Sequence, residues 1–240
     1  MSDSAGTPWA GRTLPIGDLA GDDGSADRAL VEALGVAGAG FADETAVVAS
    51  LAAARLFVAV VAVAGDPATT TDGSADAGAD MALVTLTGPD GRRALPVFSS
   101  IAALAGWDSA SRPVPVDARR AAVSAVAEGC QLLVLDVAGP VTYVVSRPAL
   151  WAIGAGRPWT PAHRDEQVRA ALTEAGARPE VVRVDAAPGA QAELRVTLVL
   201  REGLSADRVQ VVAQQVAAAL QDSDVIRERV DGLELTVQQA

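Results

Sequence analysis

The chain has 240 residues, half of them hydrophobic but only 3% aromatic, so Ala, Val and Leu must fill any sizeable core. Nineteen Arg stand against 30 Asp and Glu, and a net charge of −11 argues against a nucleic-acid partner. The single cysteine leaves no intrachain disulfide, and one His beside it makes a zinc-type metal site or a bound cofactor unexpected.

There is no lysine, which fits a GC-rich coding bias. Charge is unevenly spread: residues 1–80 carry 3 Arg and 12 acids, residues 81–160 carry 7 Arg and 5 acids, and residues 161–240 carry 9 Arg and 13 acids. Only the middle third could meet an acidic partner. The apolar run Leu56–Ala64 is far short of the ~20 residues that span a bilayer, so no membrane partner is expected. The opening residues lack the apolar stretch and early positive charge of a signal peptide, and a cytoplasmic location is expected.

Residues 1–24 are rich in Gly, Asp and Ser and predict a mobile arm. Asp22-Asp23-Gly24 lacks the alternating ligands of a calcium loop. Ser25 or Asp23 can cap a helix running to about Leu34, with Asp27 in its first turn. Gly35, Gly38 and Gly40 follow a helix rather than a strand, which argues against a phosphate loop. Asp43 or Thr45 opens a second helix through Ala54. Leu56–Ala64 then reads as a strand buried on both faces. Residues 65–80, poor in hydrophobics, predict a flexible loop.

Met81–Thr87 is β-rich, Gly88-Pro89-Asp90-Gly91 is a turn signal, and Leu95–Phe98 closes the hairpin. Ser99 or Ser100 can cap a helix over Ile101–Ala105. Arg112–Val116 is extended, because each Pro pushes its predecessor out of the helical region. Asp117 caps a helix to Glu128, with Ala122, Val123, Val126 and Cys130 expected on one face. Gln131–Asp136 and Val141–Val145 form a strand pair, and Pro148–Ile153 a short helix.

Met81-Ala82, Asp90-Gly91-Arg92, Ala94–Ser100, Trp107 and Arg112–Val116 resemble the enhanced-serine-sensitivity protein B (SseB) family, in the form found in actinobacteria. The resemblance is clearest over about 80–165. It implies an N-terminal domain followed by a smaller α+β domain. The family name records a sensitivity toward serine, which implies a link to amino-acid metabolism.

Residues 154–161 read as a linker, and the pattern restarts beyond it. Asp165–Ala175 is an amphipathic helix, Val182 and Val184 mark a strand, and Leu194–Leu200 alternates with period two. Ser205 caps a helix over Ala206–Leu220. Val225–Val230 and Leu233–Val237 flank Asp231-Gly232, a two-residue hairpin signal. The fold class is therefore α+β. A mixed-sheet N-terminal domain at 25–158 precedes a small antiparallel ββαββ domain at 162–240.

His163 is the only histidine. As a general base it would need Asp165 to orient it and a nucleophile nearby; as an ordinary residue it is a polar side chain near a helix N-terminus. Cys130 opens an apolar strand and reads as a buried, inert thiol. Three Trp remain near Arg-Pro elements: Trp107 with Arg112, Trp151 with Arg147, and Trp159 with Arg157. Trp and Arg dominate binding hot spots, so these residues can form a groove for an acidic or extended peptide. Alternatively each Trp plugs an end of the core with an Arg stacked on it. A non-catalytic protein-binding or scaffold module, with no enzyme activity, is the expected function. A small-molecule sensor with an inter-domain pocket and a hydrolase or transferase using His163 are the alternatives. The expected hairpin at 225–237 would leave a sheet edge able to pair in a homodimer.

Overall fold

The apolar run after Ala54 becomes the axis of the larger sheet. A computed structural model describes residues 22–38, 43–63 and 80–240. The arm expected over 1–24 lies outside these residues except for Asp22, Asp23 and Gly24, and the loop expected over 65–80 lies outside them except for Asp80. Strand β1 (Arg55–Val63) follows helices α1 (Arg28–Gly38) and α2 (Glu44–Ala53). Strands β2 (Asp80–Leu83), β3 (Leu86–Thr87) and β4 (Arg93–Phe98) come next, then α3 (Ile101–Trp107), β5 (Arg112–Asp117) and α4 (Ala118–Ala127). Strands β6 (Leu132–Leu135) and β7 (Tyr143–Val145) and helix α5 (Arg147–Ala155) complete the first half.

The larger sheet runs β2-β1-β4-β6-β7, with β3 against β4 and β5 against β1. It is mixed: β4 and β6 are parallel, and its other pairs are antiparallel. Alternate β1 side chains point to opposite faces. Leu56 and Val58 join a core with α1, α2, α4 and α5. Phe57 and Ala59 join a smaller cluster with Phe98 and Leu104 of α3, against which Trp107 packs. Pro96 fits inside β4 because β3 pairs at Ala94 and Arg93 while β1 pairs at Val97 and Phe98, leaving Pro96 between the two ladders. Pro113 and Pro115 lie on edge strand β5.

Short polar side chains set the helix starts. Asp43, Ser100 and Asp117 accept from the amides of Thr45, Ala103 and Arg120. At α1 the cap is Asp27, which accepts from Leu30, rather than Ser25 or Asp23. Asp23 instead turns back on the amide of Ser25. The turn at Gly24 has φ +76°, and a Cβ there would sit 2.5 Å from Ile101 Cδ1. Ser99 is buried; its amide and hydroxyl donate to Asp136 at 2.8 and 2.7 Å, so it does not cap α3.

Helix α4 corrects the expected face. Its buried stripe is Ala118, Ala121, Ala122 and Ala125, while Val123 and Val126 are 54% and 47% exposed. Small Ala side chains let the helix lie close to the sheet, and hydropathy alone favoured the larger Val residues.

The second half holds α6 (Glu166–Ala175), β8 (Val181–Pro188), β9 (Leu194–Leu200), α7 (Ala206–Asp222), α8 (Asp224–Arg229) and β10 (Leu233–Gln239). These elements have their own core, built on Val168, Leu172, Val196, Leu198, Val212 and Val216. The α+β class and the mixed first sheet are as expected. The antiparallel ββαββ order is not: residues 224–229 are helical, Asp231-Gly232 closes no hairpin, and β10 lies parallel to β9 from Leu233↔Leu194 to Gln239↔Leu200. Ser223 caps α8 through the amide of Ile226, and Ile226 and Val230 face the core. The sheet-edge hairpin at 225–237 is therefore absent, although β10 and β8 are the two edges of the three-stranded sheet. No helix among the described residues is long and apolar enough to cross a membrane.

Candidate functional site at the junction of the two halves

Helix α5 begins with Arg147-Pro148, and this Pro sits where its missing N–H costs nothing. The helix ends at Gly156, whose φ of +65° supplies the left-handed cap. The chain then runs through Arg157, Pro158, Trp159 and Thr160 to Asp165, the cap of α6. These stretches fold against α8 and enclose a groove of about 250 Å³. Pro148, Trp151, Arg157, Trp159, Asp165, Glu228 and Arg229 line it. Trp151 is 40% exposed, and the Arg147 guanidinium sits 5.1 Å from its ring centre. Trp159 packs against the first core, with its indole Nε1 buried and unpartnered. Asp165 accepts from Arg229 Nη1 at 2.7 Å and from the amides of Gln167 and Val168. Arg157 has no ion pair among the described residues and is exposed.

Three of the expected binding residues, Trp151, Arg157 and Trp159, thus meet in one groove. Trp107 and Arg112 do not join them. Trp107 packs on Phe98 with ring centres 5.3 Å apart, on the sheet face opposite α5, and Arg112 is exposed at the start of β5. His163 is half-buried and does not line the groove. Burial and then the Arg164 guanidinium push its imidazole below the usual range, while Glu44 opposes them. Asp165, the carboxylate that would orient it, is committed to α6 and Arg229. Cys130 is buried, and burial pushes its thiol up.

The junction also holds a polar cluster that the sequence did not announce. Arg147 donates to the carbonyls of Arg227 and Val230, both at 2.9 Å, and so caps α8 from the other half of the molecule. Asp231 takes Arg92 at 2.6 Å and lies 3.8 Å from Arg147 Nε. Its amide donates to Glu193 Oε2 at 2.6 Å, while Glu193 Oε1 is buried without a partner. Burial pushes Glu193 up to about 7, against the amide of Asp231 and with the carboxylates of Asp231 and Glu44 adding to the rise. Tyr143 faces the same cluster and is pushed up to about 12, by burial first and then by Glu44 and Glu193. No group of three or more metal-ligating side chains occurs among the described residues.

Comparison with curated proteins and with solved structures finds no match. A family model, the SseB protein N-terminal domain, matches residues 28–152, from the start of α1 into α5. That match covers just over half of the chain, including the whole larger sheet and Trp151, so the chain belongs to the SseB family.

Proposed function

We propose that this SseB-family protein is a non-catalytic cytoplasmic module that binds another protein through the junction groove, with residues 25–158 and 162–240 acting as its two domains. One observation carries the reading: Trp151, Trp159 and Arg157, which has no ion pair among the described residues, converge in one groove. Aromatic faces beside a free guanidinium are the side chains that anchor protein interfaces. A small-molecule sensor is the second reading, favoured by the position of the groove between two cores. Its volume of about 250 Å³ weighs against it, since ligand pockets run from ~300 to ~1,000 Å³. A hydrolytic role for His163 draws no support from Asp165, which is already engaged.

The test is native mass spectrometry of the protein isolated from its own cells under mild salt. A stoichiometric protein partner is expected. Trp151→Ala and Arg157→Glu should each weaken it by about tenfold or more, as loss of a hot-spot contact does. Arg112→Glu, outside the groove, should leave it intact. A retained small molecule without a protein partner would overturn the reading in favour of the sensor.

A further inference from the structure

Helices α4 and α5 pack side by side, and a Cβ at Gly154 would meet Ala122 Cβ at 3.6 Å and Val123 Cγ2 at 3.8 Å, ordinary contact distances. Above this contact Val123, Val126, Leu150, Trp151 and Gly154 line an apolar hollow of about 220 Å³. Three large apolar side chains therefore face water together: Val123 at 54%, Val126 at 47% and Trp151 at 40%. Single exposed Val residues need no explanation, whereas these three line one hollow that the apolar side chains of a partner can enter. Trp151 belongs to both this hollow and the junction groove, so the two adjoin at its ring.

Charge identifies the occupant. Arg119 stands beside the hollow: its Nε donates to Gly154 O at 3.2 Å, and its guanidinium lies against Gly156. Arg157 stands across Trp151 in the junction groove. Both are exposed and have no ion pair among the described residues. The hollow lies in the middle third of the sequence, the one with more Arg than acids, and the adjoining groove adds Glu228 and the Asp165–Arg229 pair from the last third. A hollow between two helices is filled by the side chains of a third helix at i, i+3 and i+4.

We propose that the α4–α5 hollow receives an amphipathic helix of a partner protein, its apolar face seated on Val123, Val126 and Trp151 and its flanking Asp or Glu paired with Arg119 and Arg157. The inference rests on the protein-binding reading and names the chemistry of the partner. Apolar burial on the hollow supplies affinity, and the two guanidiniums set orientation and reject basic helices.

The experiment places the photo-crosslinker p-benzoylphenylalanine in the full chain at Val126, in the hollow, or at Thr160, in the junction groove. Both sites are exposed, so the fold tolerates the probe. Crosslinking is done in the protein's own cells, and the captured peptide is sequenced by mass spectrometry. The Val126 probe is expected to capture a partner segment with apolar residues three and four apart, flanked by Asp or Glu. The double variant Arg119→Glu/Arg157→Glu should cut its yield about tenfold or more. Capture of a second copy of this chain, of a basic or non-amphipathic segment, or yield unchanged by the double variant would overturn the inference. Capture at Thr160 without capture at Val126 would overturn it and leave the junction-groove reading standing. Capture at neither position would overturn both.

Discussion

Glu193 is the residue whose ionisation the structure opposes most directly. Its neighbours are Asp231 from its own half, Glu44 and Tyr143 from the first half, and the two cations Arg147 and Arg92 that Asp231 already shares. With its carboxyl pushed up to about 7 from an ordinary 4.5, the folded protein holds a proton that the unfolded chain has released. Stability therefore falls as pH rises from about 4.5 through about 7, and the penalty is complete above that window. The full shift would be worth about 3 kcal/mol, which screening at this half-buried site reduces to on the order of 1–2 kcal/mol. Glu193→Gln keeps an acceptor for the Asp231 amide without the charge. Urea unfolding at pH 8 should show the variant more stable by about 1–2 kcal/mol, and at pH 4.5 the two proteins should match. An equal effect at both pH values would mean that Glu193 titrates normally. Cys130 offers a simpler residue-level outcome: a thiol reagent should label it only after unfolding, because burial both hides the sulfur and disfavours the thiolate.

At the scale of elements, α8 shows how a short segment is decided by its neighbours. It has six residues, too few to be stable alone. Ser223 caps its start, Ile226 buries its apolar side, and Arg147 holds its last carbonyls from the other half of the chain. Arg147→Met keeps the aliphatic stem and removes the donors. Hydrogen exchange at the amides of residues 226–230 should then speed up by about tenfold or more, with α6 and β9 unchanged. Unchanged protection would mean that Ile226 and Ser223 suffice. The same element marks the limit of what the sequence disclosed. The caps of α2, α4, α6 and α7 and the Gly88–Gly91 turn were readable because they are local: one side chain, one amide, one positive φ. Val225, Ile226 and Val230 fit a strand or a helix equally well, and the donors from Arg147 lie about 80 positions away in sequence. The groove divided the same way. Trp151, Arg157 and Trp159 lie close in sequence, on α5 and the linker after it, and were singled out along with Trp107 and Arg112, which fold elsewhere, whereas Glu228 and Arg229 arrive through the fold of α8. Nothing in the sequence marked Glu193, and Asp231 was read only as a hairpin residue, because their unusual environment exists only where the two halves meet. On α4, Ala and Val stripes are both helical faces, and packing distance chose the Ala stripe.

For the molecule as a whole, two separate cores meet at a junction that carries its own charges. Asp231 sits on the far side of the junction from Arg92 and Arg147, and its carboxylate is mostly buried, with 16% of its side chain exposed. The surface pair Arg28–Glu32, at 92% and 64% exposure, offers the contrast: both charges stay hydrated, so their attraction is worth a few tenths of a kcal/mol. Removing the Asp231 carboxylate instead leaves Arg147 without its ion pair, while Arg92 keeps Asp90 at 2.6 Å; with both guanidiniums partly exposed, the cost is on the order of 1–2 kcal/mol. That cost falls on the contact between the halves and on neither core. Asp231→Ala should therefore split heat unfolding by calorimetry into two transitions, the half built on β8, β9 and β10 melting first because it has the smaller sheet. Glu32→Ala should leave a single transition within about 1 °C of the parent, since an exposed i, i+4 pair contributes so little. If Asp231→Ala still unfolds in one transition, coupling resides in the other junction contacts, the Arg147 bonds to α8 and the groove lined by Trp159, and Trp159→Leu becomes the next substitution to separate the halves.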